Sequence, residues 1–249
     1  MMNDDLGTTP RPYAAWNPET SADELRLLAT HRDRDVRRGV ASNANAPTDV
    51  LARLASDPEE DVRWCAARNT HAGAGVLEML AGDTSYLVRD ALAGNPGAPP
   101  DLLAKLWKRR RWLLRSRLAA NPSTPPVLLD RSSRVYRCSL IDSNARGRVA
   151  ANPAAPPKTL RRLGRSRSKS LRAIVAGNRL TPPETLARLA RDRVPVVRRI
   201  TATHPATPAA ALAALANDSD EFVREAATSI PRSIESEPPA AERPAGLAR

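Results

Sequence analysis

Two cysteines in 249 residues, Cys65 and Cys138, exclude a disulfide scaffold and a four-thiolate metal site, and three scattered histidines do not complete one. No metal, iron–sulfur cluster or redox cofactor is therefore expected. No apolar run approaches the roughly 18 residues that cross a bilayer. The opening MMNDDLGTTPRP is acidic and polar where a secretory signal is basic and then apolar. Both absences point to a cytoplasmic protein with no membrane partner. There is no Ser-His-Asp order, no glycine-rich phosphate loop and no HExxH segment, which predicts a protein that is not an enzyme. The 23 prolines and 11 glycines fall well short of the roughly 25–30% of a low-complexity chain, so the chain is expected to fold.

What is present is a repeat. Asn stands at 17, 43, 69, 95, 121, 152 and 178, with His204 in the same role; every interval is 26 residues except the fifth, which is 31. Eight residues after each stands a Leu, from Leu25 to Leu212, and three further on Leu recurs in every unit but the fifth, where Ser132 stands. Two residues before each stands Ala, at 15, 41, 67, 93, 119, 150, 176 and 202. Each unit reads as two short helices. The first follows a Pro, with Thr124, Thr181 and Thr207 placed to cap it, and the second is capped in unit two by Asp57 or Asp61. An Asn followed by Pro then leaves the helical region and ends the unit. Helices this short are marginal alone, since isolated helices under about 12–15 residues rarely persist in water. They must stack on their neighbours as a one-dimensional solenoid.

The pattern N-P-x-x-P-P-x-x-L-x-x-L-A-x-D-x-x-x-x-V-R, nearly whole in NPGAPPDLLAKL and ANDSDEFVREAATSIP, resembles the leucine-rich repeat variant family of bacterial proteins over residues 14 to 231. That resemblance implies an all-α, right-handed superhelix of eight two-helix units, alternating α and 3₁₀ helices without β-sheet. It also implies a cysteine-ligated iron–sulfur cluster near the N-terminus of the founding member; the cysteines for it are missing here, so none is expected. The spacing from Asp57 to Arg63, Asp83 to Arg89, Asp192 to Arg198 and Asp218 to Arg224 is similar to that of HEAT-like repeats, in which Asp and Arg form a ladder between units. One solenoid over residues 13–231 follows, with an irregular unit at 121–151 and disordered tails at 1–12 and 232–249. The five extra residues of unit five read as a bend, a projecting loop or a degenerate copy, with Cys138 as an apolar filler.

The Arg column is complete, at 37, 63, 89, 115, 146, 172, 198 and 224, and reads as part of the repeat: each guanidinium fork is suited to helix ends and a nearby Asp. Charge distribution says more. Residues 101–175 hold 19 basic and 3 acidic residues and so carry more than the whole net charge of +12. The interhelix loops, which a solenoid aligns along one edge, read KRRRW at 108–112 and RSRSK at 165–169, against DPEED in unit two and DSDEF in unit eight. Arg109, Arg110, Arg111, Arg165, Arg167 and Lys169 are therefore candidate contacts for an acidic protein surface or a polyanion. Tyr86 and Trp112, at equivalent places in consecutive units, are candidates to stack on a base or anchor a partner. Trp107 replaces a small residue and should turn inward. A binding scaffold for another protein is the favoured function, nucleic-acid binding the alternative. A HEAT-like DNA glycosylase is remote, with Asp101, Asp130 and Asp142 the only central carboxylates.

Overall fold

A computed structural model describes residues 12–108, 112–135 and 140–229. Among these residues there are sixteen α-helices, one 3₁₀ turn at Pro12–Trp16 and no strand. The first helices of the eight units are α1 (Ala22–Leu28), α3 (Thr48–Leu54), α5 (Ala74–Leu80), α7 (Pro100–Lys108), α9 (Pro126–Val135), α11 (Pro157–Leu163), α13 (Pro183–Leu189) and α15 (Ala209–Leu215). The second helices are α2 (Arg34–Ser42), α4 (Glu60–Arg68), α6 (Tyr86–Gly94), α8 (Trp112–Ala120), α10 (Leu140–Ala151), α12 (Lys169–Gly177), α14 (Pro195–Ala202) and α16 (Glu221–Thr228). Both helices of each unit are α, a correction to the alternation with 3₁₀ helices: bonds such as Leu51 N–H to Pro47 C=O and Ala55 N–H to Leu51 C=O span four residues. Bonds of the 3₁₀ type occur at the exit turn, where the Ser56 amide donates to the Arg53 carbonyl and the Asp57 amide to that of Leu54.

Each second helix packs on the next along the whole array, and each first helix packs on its own partner. The Ala column lies in this tight layer and is wholly buried in all eight copies. The first Leu column is equally buried from Leu25 to Leu186; Leu212, in unit eight, is half-buried. A larger side chain at a buried Ala has nowhere to go. Ala119→Leu or Ala176→Leu is expected to lower stability by about 1–3 kcal/mol through overpacking. Urea midpoints within error of the parent would contradict this placement.

The caps differ from the sequence reading. Pro182 and Pro208 themselves occupy the N-cap, with no side-chain bond. The hydroxyls of Thr124, Thr181 and Thr207 instead donate backwards, to the carbonyls of Leu118, Val175 and Thr201, closing the preceding helix. Neither Asp57 nor Asp61 caps α4, whose N-cap is Glu59. Asp57 accepts from the Glu59 amide and so shapes the loop. Nor does proline set the end of a unit. Asn43, Asn69 and Asn178 precede Ala, Thr and Arg, yet hold the same extended backbone as Asn95, which precedes Pro. What fixes them is a rung between units: Asn43 Nδ2 donates to the carbonyls of Ala15 and Asn17, Asn69 to those of Ala41 and Asn43, and so on through Asn178. His204 continues the ladder with Nε2 against the Asn178 carbonyl at 3.0 Å while Nδ1 accepts from the Ala206 amide, so Nε2 carries the proton.

The insertion in unit five lengthens the helices: α9 has ten residues and α10 twelve, where α11 and α12 have seven and nine. Residues 136–139, with Cys138, lie outside the described residues, as do 1–11 and 230–249. The buried apolar core divides at this unit. One cluster runs from Ala14 to Leu128, a second begins with Ala119 and Leu129 and ends at Val197, and a small third one joins Ala190, Ala202, Leu215 and Val223 at the C-terminal end. Because contacts in a solenoid are between neighbours, hydrogen exchange is expected to show units one to four and six to eight opening as separate blocks. Uniform protection from Asn121 to Asn152 and across both flanks would contradict this.

Candidate functional site

The two ladders lie at opposite edges. The Asn rungs join the turns between units, and the Arg column lines the loops between the two helices of each unit. There Arg63 Nη1 donates to the carbonyls of Asp57 and Pro58, and its Nε and Nη2 grip the carboxylate of Asp83, in the next unit, at 2.7 and 3.3 Å. Arg37 with Asp57, Arg172 with Asp192 and Arg198 with Asp218 repeat the geometry, always twenty residues apart. The partner is thus the Asp of the following unit, and the Asp six residues earlier supplies only its carbonyl. Such forked pairs are shielded from water, with the Arg172 and Asp192 side chains each 7% exposed. Burial raises the Asp83 and Asp192 carboxyls, but the hydrogen bonds from Arg63 and Arg172 and the amides of Ser85 and Val194 outweigh it, so both lie below the usual carboxylate range.

In the centre the carboxylates run out. The residue twenty places after Arg89 is Arg109, after Arg115 it is Val135, and after Arg146 it is Ser166. At Arg115 and Arg146 the Nε atom, which bonds the carboxylate elsewhere, is buried without a partner. The residue just before the Asp position is also basic in units four to seven: Lys108, Arg134, Arg165 and Arg191, where Ser56, Gly82 and Asn217 stand in units two, three and eight. Loss of acid and gain of base coincide in units four to six, while in unit seven Arg191 stands before the retained Asp192. The edge is consequently acidic at both ends and strongly basic between them.

The candidate residues are distributed unevenly over this edge. Arg165 and Arg167 are exposed on the loop leading into α12, and Lys169 is exposed as that helix's first residue. Arg165 lines a cavity of about 400 Å³ with Arg134, Arg146, Arg162, Ser133 and Ser166. Arg109, Arg110 and Arg111 lie outside the described residues, and so does the side chain of Trp112. Tyr86 is half-buried against the core, its hydroxyl 3.4 Å from the Asp90 carboxylate. Trp107 turns inward as expected and is 7% exposed; α7 continues through it, and Arg115 stacks over its ring at 5.3 Å. Sequence reasoning missed Arg134, Arg146 and Arg162. The signal was there in Ser166, which stands where the repeat requires Asp.

Residues 34–59 match the leucine rich repeat variant family model. A solved structure described as a leucine-rich repeat variant with a novel repetitive protein structural motif is similar to this chain, at 23% identity over 88% of this chain and 81% of that one, with a TM-score of 0.53. One repeat unit thus matches that family's model, and the fold of the described residues is like that of the solved leucine-rich repeat variant. Two designed armadillo repeat proteins are also similar, each 14% identical. One covers 83% of this chain and 97% of its own, with a TM-score of 0.27. The other, in complex with a (KR)4 peptide, covers 88% and 97%, with a TM-score of 0.21. No curated protein matches the sequence.

Of the central carboxylates, Asp130 has structural work. Asp130 accepts from Thr159, Arg134 and Arg162 and lies 3.8 Å from Lys158. Burial raises its carboxyl, but the bonds from Thr159 and Arg162 prevail and hold it at about 2. A carboxylate so weakly basic and so fully occupied is a poor proton acceptor at neutral pH. Asp101 is exposed on the first turn of α7, and the side chain of Asp142 lies outside the described residues.

Proposed function

We propose that the chain is a non-enzymatic binding scaffold whose basic central edge takes an acidic segment of a partner protein. One observation carries this reading: the Arg–Asp ladder closes on itself in units one to three and six to eight and lacks its carboxylates in between. What the centre is short of is carboxylate. Stacked helices lie about 8–10 Å apart, close to the span of three residues of extended chain at about 3.3 Å each. An extended peptide with acidic residues at that interval keeps pace with successive units. The acidic loops at either end favour a short segment seated at the centre over a long polyanion running the length of the edge.

The test uses two fluorescein-labelled probes at low and physiological salt, an octaglutamate peptide and a single-stranded oligothymidylate. Octaglutamate is expected to bind, to weaken with salt, and to weaken about tenfold or more when Arg109, Arg110 and Arg111 are all replaced by Gln. Binding of the oligonucleotide with none of the peptide would overturn the reading in favour of nucleic acid. Each phosphate contact would then contribute about −0.7 to the log–log salt slope, and Trp112→Ala would weaken it by loss of stacking.

A further inference from the structure

Resting on the reading of the edge as a site for acidic protein segments, we infer that the gap between Arg146 and Ser166 is a preformed slot for one carboxylate side chain of the partner. Ser166 makes every bond that the column's Asp makes except the one to arginine. Its carbonyl accepts from Arg172 Nη1 at 2.9 Å, as the Asp57 carbonyl accepts from Arg63. Its Oγ accepts from the amide two residues on, as do the carboxylates of Asp57, Asp83, Asp192 and Asp218. The loop is therefore held in the ladder conformation, and only the carboxylate that would reach back to the preceding unit is missing.

The arginine that should receive it is in place. Arg146 Nε is buried and bonds nothing, although the same atom in Arg37, Arg63, Arg172 and Arg198 lies 2.5–2.7 Å from a carboxylate oxygen. A buried guanidinium N–H without an acceptor is costly, and an incoming carboxylate relieves that cost as it binds. The cavity of about 400 Å³ in front of it has room for the end of an acidic side chain. Two of its arginines, Arg134 and Arg162, are already tied to Asp130, while Arg146 and Arg165 pair with no carboxylate among the described residues. The charge that faces the slot is thus uncompensated. Leu163 and Leu171 wall it and lower the local dielectric, which strengthens a charge-assisted bond made there.

Ser166→Asp supplies the missing group from within the chain and is the direct test. It is expected to raise Tm by at least about 2–4 °C, and by up to the shift that removal of a rung carboxylate costs. It should also weaken octaglutamate binding about tenfold by filling the slot. Arg146→Gln should weaken peptide binding similarly with no gain in Tm. Acetate titrated into ¹⁵N-labelled protein should shift the Arg146 Nε–Hε resonance in the parent and leave it unmoved in Ser166→Asp. Unchanged peptide affinity in both variants overturns the slot while binding by the parent upholds the edge. An acetate response with no peptide binding upholds the slot and overturns the edge. No acetate response at Arg146 overturns the slot whatever the peptide does.

Discussion

Asp192→Ala is expected to lower stability by about 3 kcal/mol, a fall in Tm of roughly 6–12 °C for a protein of this size. The Arg172 and Asp192 side chains are each 7% exposed, so removing the carboxylate strands a guanidinium Nε and Nη2 out of reach of bulk water. The cost falls at the low end of the range for breaking a buried pair because Arg172 Nη1 keeps the carbonyls of Ser166 and Arg167. The folded-state pKa of Asp192 is lowered, so its contribution is present above the unfolded pKa of about 3.9 and is lost as the pH falls through the folded value. Parent and variant should therefore converge in stability as the pH drops below about 4, and a gap that stays constant from pH 7 to pH 2 would sink the ion-pair account. Asp49→Ala is the control: its pair with Arg26 joins side chains 62% and 47% exposed, and no measurable change is expected.

Asn121→Ala is expected to cost about 2–5 kcal/mol, more than the loss of an ordinary side-chain hydrogen bond. Asn121 Nδ2 donates to the carbonyls of Ala93 at 2.9 Å and Asn95 at 2.8 Å, and Oδ1 accepts from the Ser123 amide. Ala93 and Asn95 are buried, so both carbonyls would lose a partner where water does not replace it, at about 1–3 kcal/mol each. The bonds cross from unit five to units three and four, next to the point where the apolar core divides. Equilibrium unfolding should consequently become less cooperative, with the N-terminal and C-terminal blocks separating in urea. Asn121→Asp is the discriminating companion. It keeps the size and the Oδ1 acceptor but puts a carboxylate oxygen against the two carbonyls in place of the donors, and should destabilise at least as much as Ala; a neutral Asp variant would show that the donors are not what holds the units together.

The sequence by itself determined the period, the number of units and which columns are inside. A repeat states its own alignment, and a position that is Ala or Leu in every copy, whatever stands beside it, is one whose volume is fixed by packing. It also located the basic centre, because charge is additive along the chain, and it placed Trp107 inside from its substitution for a small residue. What only the tertiary structure decided is which residues meet across units. Arg63 has an Asp six residues before it and another twenty after it, and in the sequence both intervals recur equally; stacking brings the second within 2.7 Å and leaves the first in reach only through its carbonyl. The Asn rungs reach back 26 and 28 residues, and the Thr hydroxyls turn to the helix behind them, for the same reason: a side chain bonds what the neighbouring unit presents, and the chain's own order does not say what that is. Ser166 reads as one more serine in RSRSK until the rung it fails to complete is in view, with Arg146 Nε buried opposite it.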